Sequence, residues 1–561
     1  MKNRAISRRR FLNISGVGVA GFAFYSNTLL AQASGRDNKF VIAETQFGKI
    51  RGIEKKSVKI FKGIPYGANT TGTNRFMPPV DPAGWTGVRD ALNYGHNCSQ
   101  NNPASPPKPF QADPPNLPLP SIYRALWVPG LTDTGEGEDC LVLNVWTPAI
   151  NDGRKRPIML WLHGGSFSSG SGSNTGWDGT NLCLRGDVVV LTINHRLQAL
   201  GFANFKAFSP DFAASGVVGM LDIIHALQWV KTNIAQFGGD PNNVMIFGQS
   251  GGGQKCETLL SMPLAKGLFH RAVIESGISI KGVEPDIATR NAEMLLSKLG
   301  IPKAEVHKIQ QLPIDQIMTA AHATLRDLHA SDETIMGFAP SVDGVFLPQH
   351  QFFPVASSVS PDVPVMIGST RTEHTGLTTD ISLWHLDEEG MRAQIGEILG
   401  DRANETIELY RRLYPGSTPS DIFFLIKTDH GYTAPTMKIA ERRAALGKGP
   451  VYLYYFAWET PVQGGMLKSP HNIEWPFAYD NIKINESLTG DSPEAMALAD
   501  KISDTWIAFA RTGNPNNPKI PNWPTYNATD RATMIFNNEI KLVNDPLTEQ
   551  RLAMFRALKF Q

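Results

Sequence analysis

Four cysteines in 561 residues (Cys98, Cys140, Cys183 and Cys256) are too few for a disulfide-built scaffold. None has the close Cys/His spacing of a structural zinc site. An excess of one charge is also missing, since 53 Lys and Arg face 52 Asp and Glu, a net +1. Polyanion binders carry a basic excess, so nucleic acid is disfavoured as the main partner. Past the N-terminal segment no run of about 18 apolar residues occurs, so no further membrane span is expected. There is no internal repeat, and the 51 glycines and 39 prolines are aperiodic, which excludes a collagen-like rod.

What is present is globular. Hydrophobic residues make up 42% and charged residues 19% of the 61.5 kDa chain. At about 150 residues per domain, the length suggests three or four domains, although large α/β enzymes exceed that as one unit. Residues 1–33 carry five basic residues and no acidic one. Residues 7–12 read SRRRFL, an apolar stretch follows from 14 to 30, and Ala31-Gln32-Ala33 offers a small-x-small cleavage pattern. These are the three parts of a signal peptide. The arginine pair before Phe11-Leu12 resembles a bacterial twin-arginine signal, with an ordinary secretory signal or an uncleaved anchor as alternatives. The expectation is export to the periplasm or medium, leaving one body, 34–561, with no stable membrane span. That body has 48 basic and 52 acidic residues, a net −4.

Residues 40–66 alternate apolar and polar in short runs, as small strands do. Residues 101–120 hold eight prolines. Proline lacks the ladder donor, so this is a surface loop, reading equally as a rim or lid over a cleft and as a spacer. From residue 140, short apolar runs at 141–146, 157–162, 188–193 and 244–247 read as buried strands. A helical spacing follows at 219–235, and 280–340 and 390–445 read as mainly helical. Alternating strands and helices predict an α/β layered sheet.

Gly248-Gln249-Ser250-Gly251-Gly252 fits G-x-S-x-G. Chance produces such pentapeptides often. Here an apolar strand precedes the motif and a helix-capable stretch follows, the setting of a nucleophile elbow. Glycines are needed because the turn is too tight for neighbouring Cβ atoms. A serine hydroxyl is a poor nucleophile until a base takes its proton, so a base, an orienting acid and an oxyanion hole must lie elsewhere. His163-Gly164-Gly165-Ser166-Phe167 follows a strand, and its small residues let backbone N–H groups approach a developing oxyanion.

In these motifs the chain resembles the type-B carboxylesterase family, which includes the cholinesterases and bacterial para-nitrobenzyl esterases. The resemblance spans most of 40–530. It rests on FKGIPYG (61–67), RFMPP (75–79), EDCLVLNVW (138–146), LWLHGGSF (160–167), DVVVLTINHRL (187–197), FGGDPNNVMIFGQSGGG (237–253), KGLFHRAVIESG (266–277) and WIAFARTGNPN (506–516). It implies an α/β-hydrolase fold: a large, mostly parallel central sheet with helices on both faces and inserted cap or loop regions. It implies Ser250, Glu373 and His471 as a Ser-His-Glu triad. Glu373 falls in VMIGSTRTE (365–373) and His471 in SPHNIEWPF (469–477). Asp343 is a nearby rival acid, otherwise a loop carboxylate, and His374 and His430 are rival bases. The implied oxyanion hole is the N–H groups of Gly165, Ser166 and Gly251.

Two departures stand out at the elbow. The family commonly has Glu before the nucleophile and Ala after it, where this chain has Gln249 and Gly251. Gln249 removes a negative charge, which speaks against a cholinesterase-like taste for cationic substrates. Other implied features are a Cys98–Cys140 disulfide around the Pro-rich stretch, an Arg75–Glu138 ion pair and a supporting Ser276. The segment between those cysteines is longer than usual for the family, which favours the lid. Cys256 reads as a packing residue, and Phe167 and Trp177 either line the cleft or pack. The implied reaction is hydrolysis of a small-molecule carboxylic ester through an acyl-enzyme, with no metal or organic cofactor. A carbamate, amide, thioester or lactone is the alternative bond, and a non-catalytic binding protein the alternative class.

Overall fold

A computed structural model describes residues 39–104, 134–331, 337–378 and 380–560. The signal-type segment 1–33 and the 105–120 part of the Pro-rich stretch lie outside the described residues. Eight strands build the centre of a 13-stranded sheet: β1 (Val142–Thr147), β2 (Arg156–Leu162), β3 (Val189–Ile193), β4 (Gly239–Gln249), β5 (Arg271–Glu275), β6 (Val365–Thr370), β7 (Val451–Phe456) and β8 (Ala532–Phe536). Their order is β1-β3-β2-β4-β5-β6-β7-β8. Seven of them, β2 to β8, pair parallel. β1 runs antiparallel to β3 and carries the strand Val58–Pro65, while Lys541–Asn544 closes the other edge antiparallel to β8.

The strands form where the apolar runs lie, within a residue or two, except that β4 starts five residues earlier than the run 244–247. Side chains alternate between two cores, as the pleat requires. Ile158, Leu160, Leu162, Val244 and Ile246 face one core; Met159, Trp161, Met245 and Phe247 face the other. Burial on both faces explains continuous apolar runs in place of alternation. Each such side chain contributes roughly 1.5–3 kcal/mol by leaving water.

Helices cover both faces. On the first lies α1 (Val218–Asn233), apolar nearly all round, and α2 (Gly251–Leu259), which starts directly after Ser250. The stretch Pro210–Phe237 is long and apolar enough to cross a membrane by length and composition, but 83% of its most apolar window is buried inside the molecule. It also carries Asp222, which holds Arg196 through a bidentate pair at 2.6 and 2.8 Å. On the opposite face lies α3 (Pro493–Thr512). The sequence delimits α3 sharply. The Ser492 side chain accepts from the Ala495 N–H, Pro493 occupies the first turn, and Gly513 at φ 77° ends the helix. A satellite core gathers Met391, Ile395, Ile407, Tyr410 and Phe423 under the 388–444 helices. The residues from Phe40 onward form one compact unit.

Register brings four strand ends together. Leu162 pairs with Gly248, Gln249 with Glu275, and Glu275 with Gly368. The loops leaving β2, β4, β5 and β6 therefore emerge at one edge, the carboxyl edge where parallel sheets place their ligand sites.

Candidate active site

Ser250 sits between β4 and α2 at φ 57° and ψ −123°, a backbone conformation that non-glycine residues rarely adopt. Its N–H donates to the Glu275 carbonyl at 2.8 Å, so the neighbouring strand end fixes the strained turn. The flanking glycines are required by contact. A Cβ on Gly248 would come within 2.5 Å of the Leu162 carbonyl oxygen, and one on Gly252 would collide with that same oxygen. The result is a half-buried serine between strand and helix.

Glu373 opens a short helix, Glu373–Leu377, three residues after β6. Its Oε1 accepts the Thr370 N–H at 2.7 Å, and its Oε2 lies 2.5 Å from His471 Nδ1. Both side chains are fully buried. Two further contacts zip their loops together. The Thr372 N–H donates to the Ser469 carbonyl, and the Ser469 N–H donates back to Thr372 Oγ1. The His471 ring also packs against Tyr432, centroid to centroid 5.4 Å, from a π-helical segment Asp429–Thr433. The Gln249 amide nitrogen is nearly equidistant from the two ring nitrogens, at 3.2 and 3.3 Å, so it lies across the imidazole and not along one lone pair. Ser250 Oγ makes no hydrogen bond to His471 in this structure, a contact that in hydrolases often tightens only with substrate bound.

The strap after β2 approaches the start of α2. Gly165 has φ 85° and Ser166 φ 52°, and a Cβ on Gly251 would collide with the Ser166 backbone. The N–H groups of Gly165 and Ser166 have no acceptor among the described residues. Strap and helix start thus lie against each other next to Ser250.

Other expected residues fall as follows. Ser276, at φ 50°, donates to Glu474 Oε1 at 2.5 Å, in a fully buried contact. Arg75 and Glu138 form a buried bidentate pair at 2.6 and 2.7 Å, and Arg75 Nη1 also donates to the carbonyls of Ile309, Gln310 and Leu312. Asp343 is a loop carboxylate, its Oδ1 accepting the N–H groups of Val345, Phe346 and Leu347. His374 packs on Tyr432, and burial pushes its pKa down to about 3. Phe167 packs edge-on against Phe202, and Trp177 against Trp161 and Trp475, so both belong to the cores. Cys183 and Cys256 are buried among core residues. The Cys98–Cys140 disulfide is not formed here. All four cysteines are free; the buried Cys98 thiol donates to the Ser99 carbonyl at 3.7 Å, and with Cys98 beside it the buried Cys140 thiol is pushed well above its ordinary value.

Three buried groups escaped the sequence reading. Burial drives the Glu275 carboxyl up to about 8, against the opposing hydrogen bond from Trp506 Nε1 at 2.8 Å. Burial and then the nearby Glu373 and Glu275 charges drive Glu474 well above its ordinary value. Both shifts favour the neutral carboxyl over the carboxylate. Tyr432 is the third, and nothing in the pattern around it marks it out.

Comparison with known proteins places this geometry. Residues 39–555 match the model of the carboxylesterase family. The para-nitrobenzyl esterase of Bacillus subtilis is 34% identical over 516 residues, covering 92% of this chain and 98% of that protein. A crystal structure of a Geobacillus stearothermophilus carboxylesterase superposes with a TM-score of 0.75 at 33% identity, covering 91% of this chain and 99% of that one. An esterase from Clostridium hathewayi described as hydrolysing aliphatic aromatic polyesters gives 0.77 at 31%, covering 93% and 100%. With an elbow serine, a buried His–Glu pair and full-length similarity in hand, the chain belongs to the carboxylesterase family and is an ester hydrolase of α/β-hydrolase fold.

Proposed function

We propose that Ser250 is the nucleophile, His471 the general base and Glu373 the group that orients it. The observation that carries this is the buried 2.5 Å His471–Glu373 contact beside the strained Ser250 turn. Holding the proton on Nδ1 leaves Nε2 free to accept from Ser250. Ser250 Oγ attacks the ester carbonyl carbon as its proton passes to Nε2. The N–H groups of Gly165, Ser166 and Gly251 hold the resulting oxyanion. The tetrahedral intermediate collapses, the imidazolium protonates the departing alkoxide, and an alcohol leaves. Water, deprotonated by the same nitrogen, then attacks the acyl-enzyme and releases the acid.

The substrate is a small ester without a cationic group near the serine, since Gln249 supplies no charge where the family commonly has Glu. The twin-arginine pattern at 8–12 supports export, and an oxidising compartment would let the neighbouring Cys98 and Cys140 thiols close into a disulfide. Hydrolysis of short and medium p-nitrophenyl esters by the 34–561 body tests the site. Ser250→Ala is expected to abolish turnover while leaving the unfolding midpoint unchanged. Retained turnover in the purified variant would remove Ser250 from its role.

A further inference from the structure

On this reading of the site, the two sources of oxyanion N–H groups are separate pieces of chain, the 163–166 strap and the start of α2. Something must set their spacing. Lys255, on α2 five residues beyond Ser250, is fully buried and reaches back to the strap. Its Nζ donates to the His163 carbonyl at 2.8 Å and to the Ser166 carbonyl at 2.7 Å, and it lies 5.7 Å from the centre of the Phe167 ring. Those two carbonyls bracket the peptide units whose N–H groups belong to Gly165 and Ser166. One ammonium thus ties both ends of the strap to the helix that presents Gly251.

We propose that Lys255 is a positioning residue for the oxyanion hole, locking the Gly165–Ser166 strap against α2 at the spacing that the tetrahedral intermediate requires. Packing does not call for a lysine there. An apolar side chain of similar length would fill the space without the desolvation of a charge. No carboxylate acts on the ammonium, and burial pushes its pKa down to about 7. What the lysine adds, and a hydrocarbon cannot, is two directed bonds to the strap. The strap itself needs such a tie, because Ser166 holds a positive φ without being glycine and is exposed on its outer side. The effect belongs to the transition state, since an oxyanion exists only there, and falls on kcat more than on KM.

The test compares wild type, Lys255→Met, Lys255→Gln and Ser250→Ala on a p-nitrophenyl ester. The same proteins are titrated with an aryl trifluoromethyl ketone, which forms a tetrahedral oxyanion with the serine. For Lys255→Met we expect kcat to fall roughly 10- to 100-fold, short of the 10²–10³ lost with an entire oxyanion donor, with KM within about threefold. Ketone affinity should fall by the same factor, and the unfolding midpoint should not follow it. Lys255→Gln, which keeps N–H donors on a shorter, uncharged side chain, should lie between. A kcat within twofold of wild type, or lost kcat with unchanged ketone affinity, overturns the proposal. So does failure of both Lys255 variants to fold, which would make the residue a structural one. If wild-type turnover survives Ser250→Ala, the site reading has failed instead, independently of Lys255.

Discussion

Replacing Glu373 by Gln keeps the shape of the side chain and changes one atom, yet the surroundings leave the amide no good orientation. Glu373 Oε1 accepts from the Thr370 N–H and Oε2 faces His471 Nδ1, both in a fully buried setting. If the Gln oxygen stays on Thr370, its NH2 faces Nδ1. The imidazole must then carry its proton on Nε2, where the base is needed. If the amide flips, Nδ1–H is satisfied but two N–H groups oppose each other at the Thr370 position. A buried donor left unmade costs roughly 1–3 kcal/mol. In either orientation the imidazolium loses a charge-assisted hydrogen bond of about 1.5–3 kcal/mol. Together these predict a loss of ~10² to ~10⁴ in kcat, at 1.36 kcal/mol per tenfold, with little change in KM. Steady-state kinetics on a p-nitrophenyl ester, normalised by fluorophosphonate titration of Ser250, give the number. A loss below tenfold, or one confined to KM, would refute the role given to Glu373.

Gly251→Ala, although alanine is common there in the family, places a Cβ against the Ser166 backbone; displacing the strap should lower kcat by up to ~10²–10³, and an active variant would show that the strap relaxes freely. Arg75→Met strands buried Glu138 and frees three carbonyls, so urea unfolding should show a loss of about 3–5 kcal/mol, and a change under 1 kcal/mol would mean that the pair contributes little. Glu275 carries a folded pKa raised from 4.5 to about 8, so its contribution to stability is fully present below pH 4.5 and is lost as pH rises to about 8. Glu275→Gln should remove that slope, ~3–5 kcal/mol between pH 4.5 and 8, and equal slopes in the two proteins would contradict the assignment.

The central strands can be read from the chain alone, because burial on both faces demands unbroken apolar runs. Those at 141–146, 157–162 and 188–193 match β1, β2 and β3 almost residue for residue. The chain also sets the elbow, since only glycines fit beside Leu162, and it delimits α3 through Ser492, Pro493 and Gly513. Ser250 stands out through its strand and flanking glycines, whereas Glu373 and His471 were named only by the family resemblance, since a base and an acid far apart in the chain share no local pattern.

Relations without a local signature emerge only once the segments are packed together. Tyr432 reaches His471 from a π-turn, and the Glu275 and Glu474 carboxyls are pushed up because distant segments exclude water from them. Lys255 looks in the sequence like any lysine on a helix. It becomes a tie across the oxyanion strap only because β2 and β4 are neighbours in the sheet, which brings the strap after Leu162 within reach of the helix after Ser250. Burial and through-space hydrogen bonding depend on which segments meet, and periodicity along one segment carries no record of that.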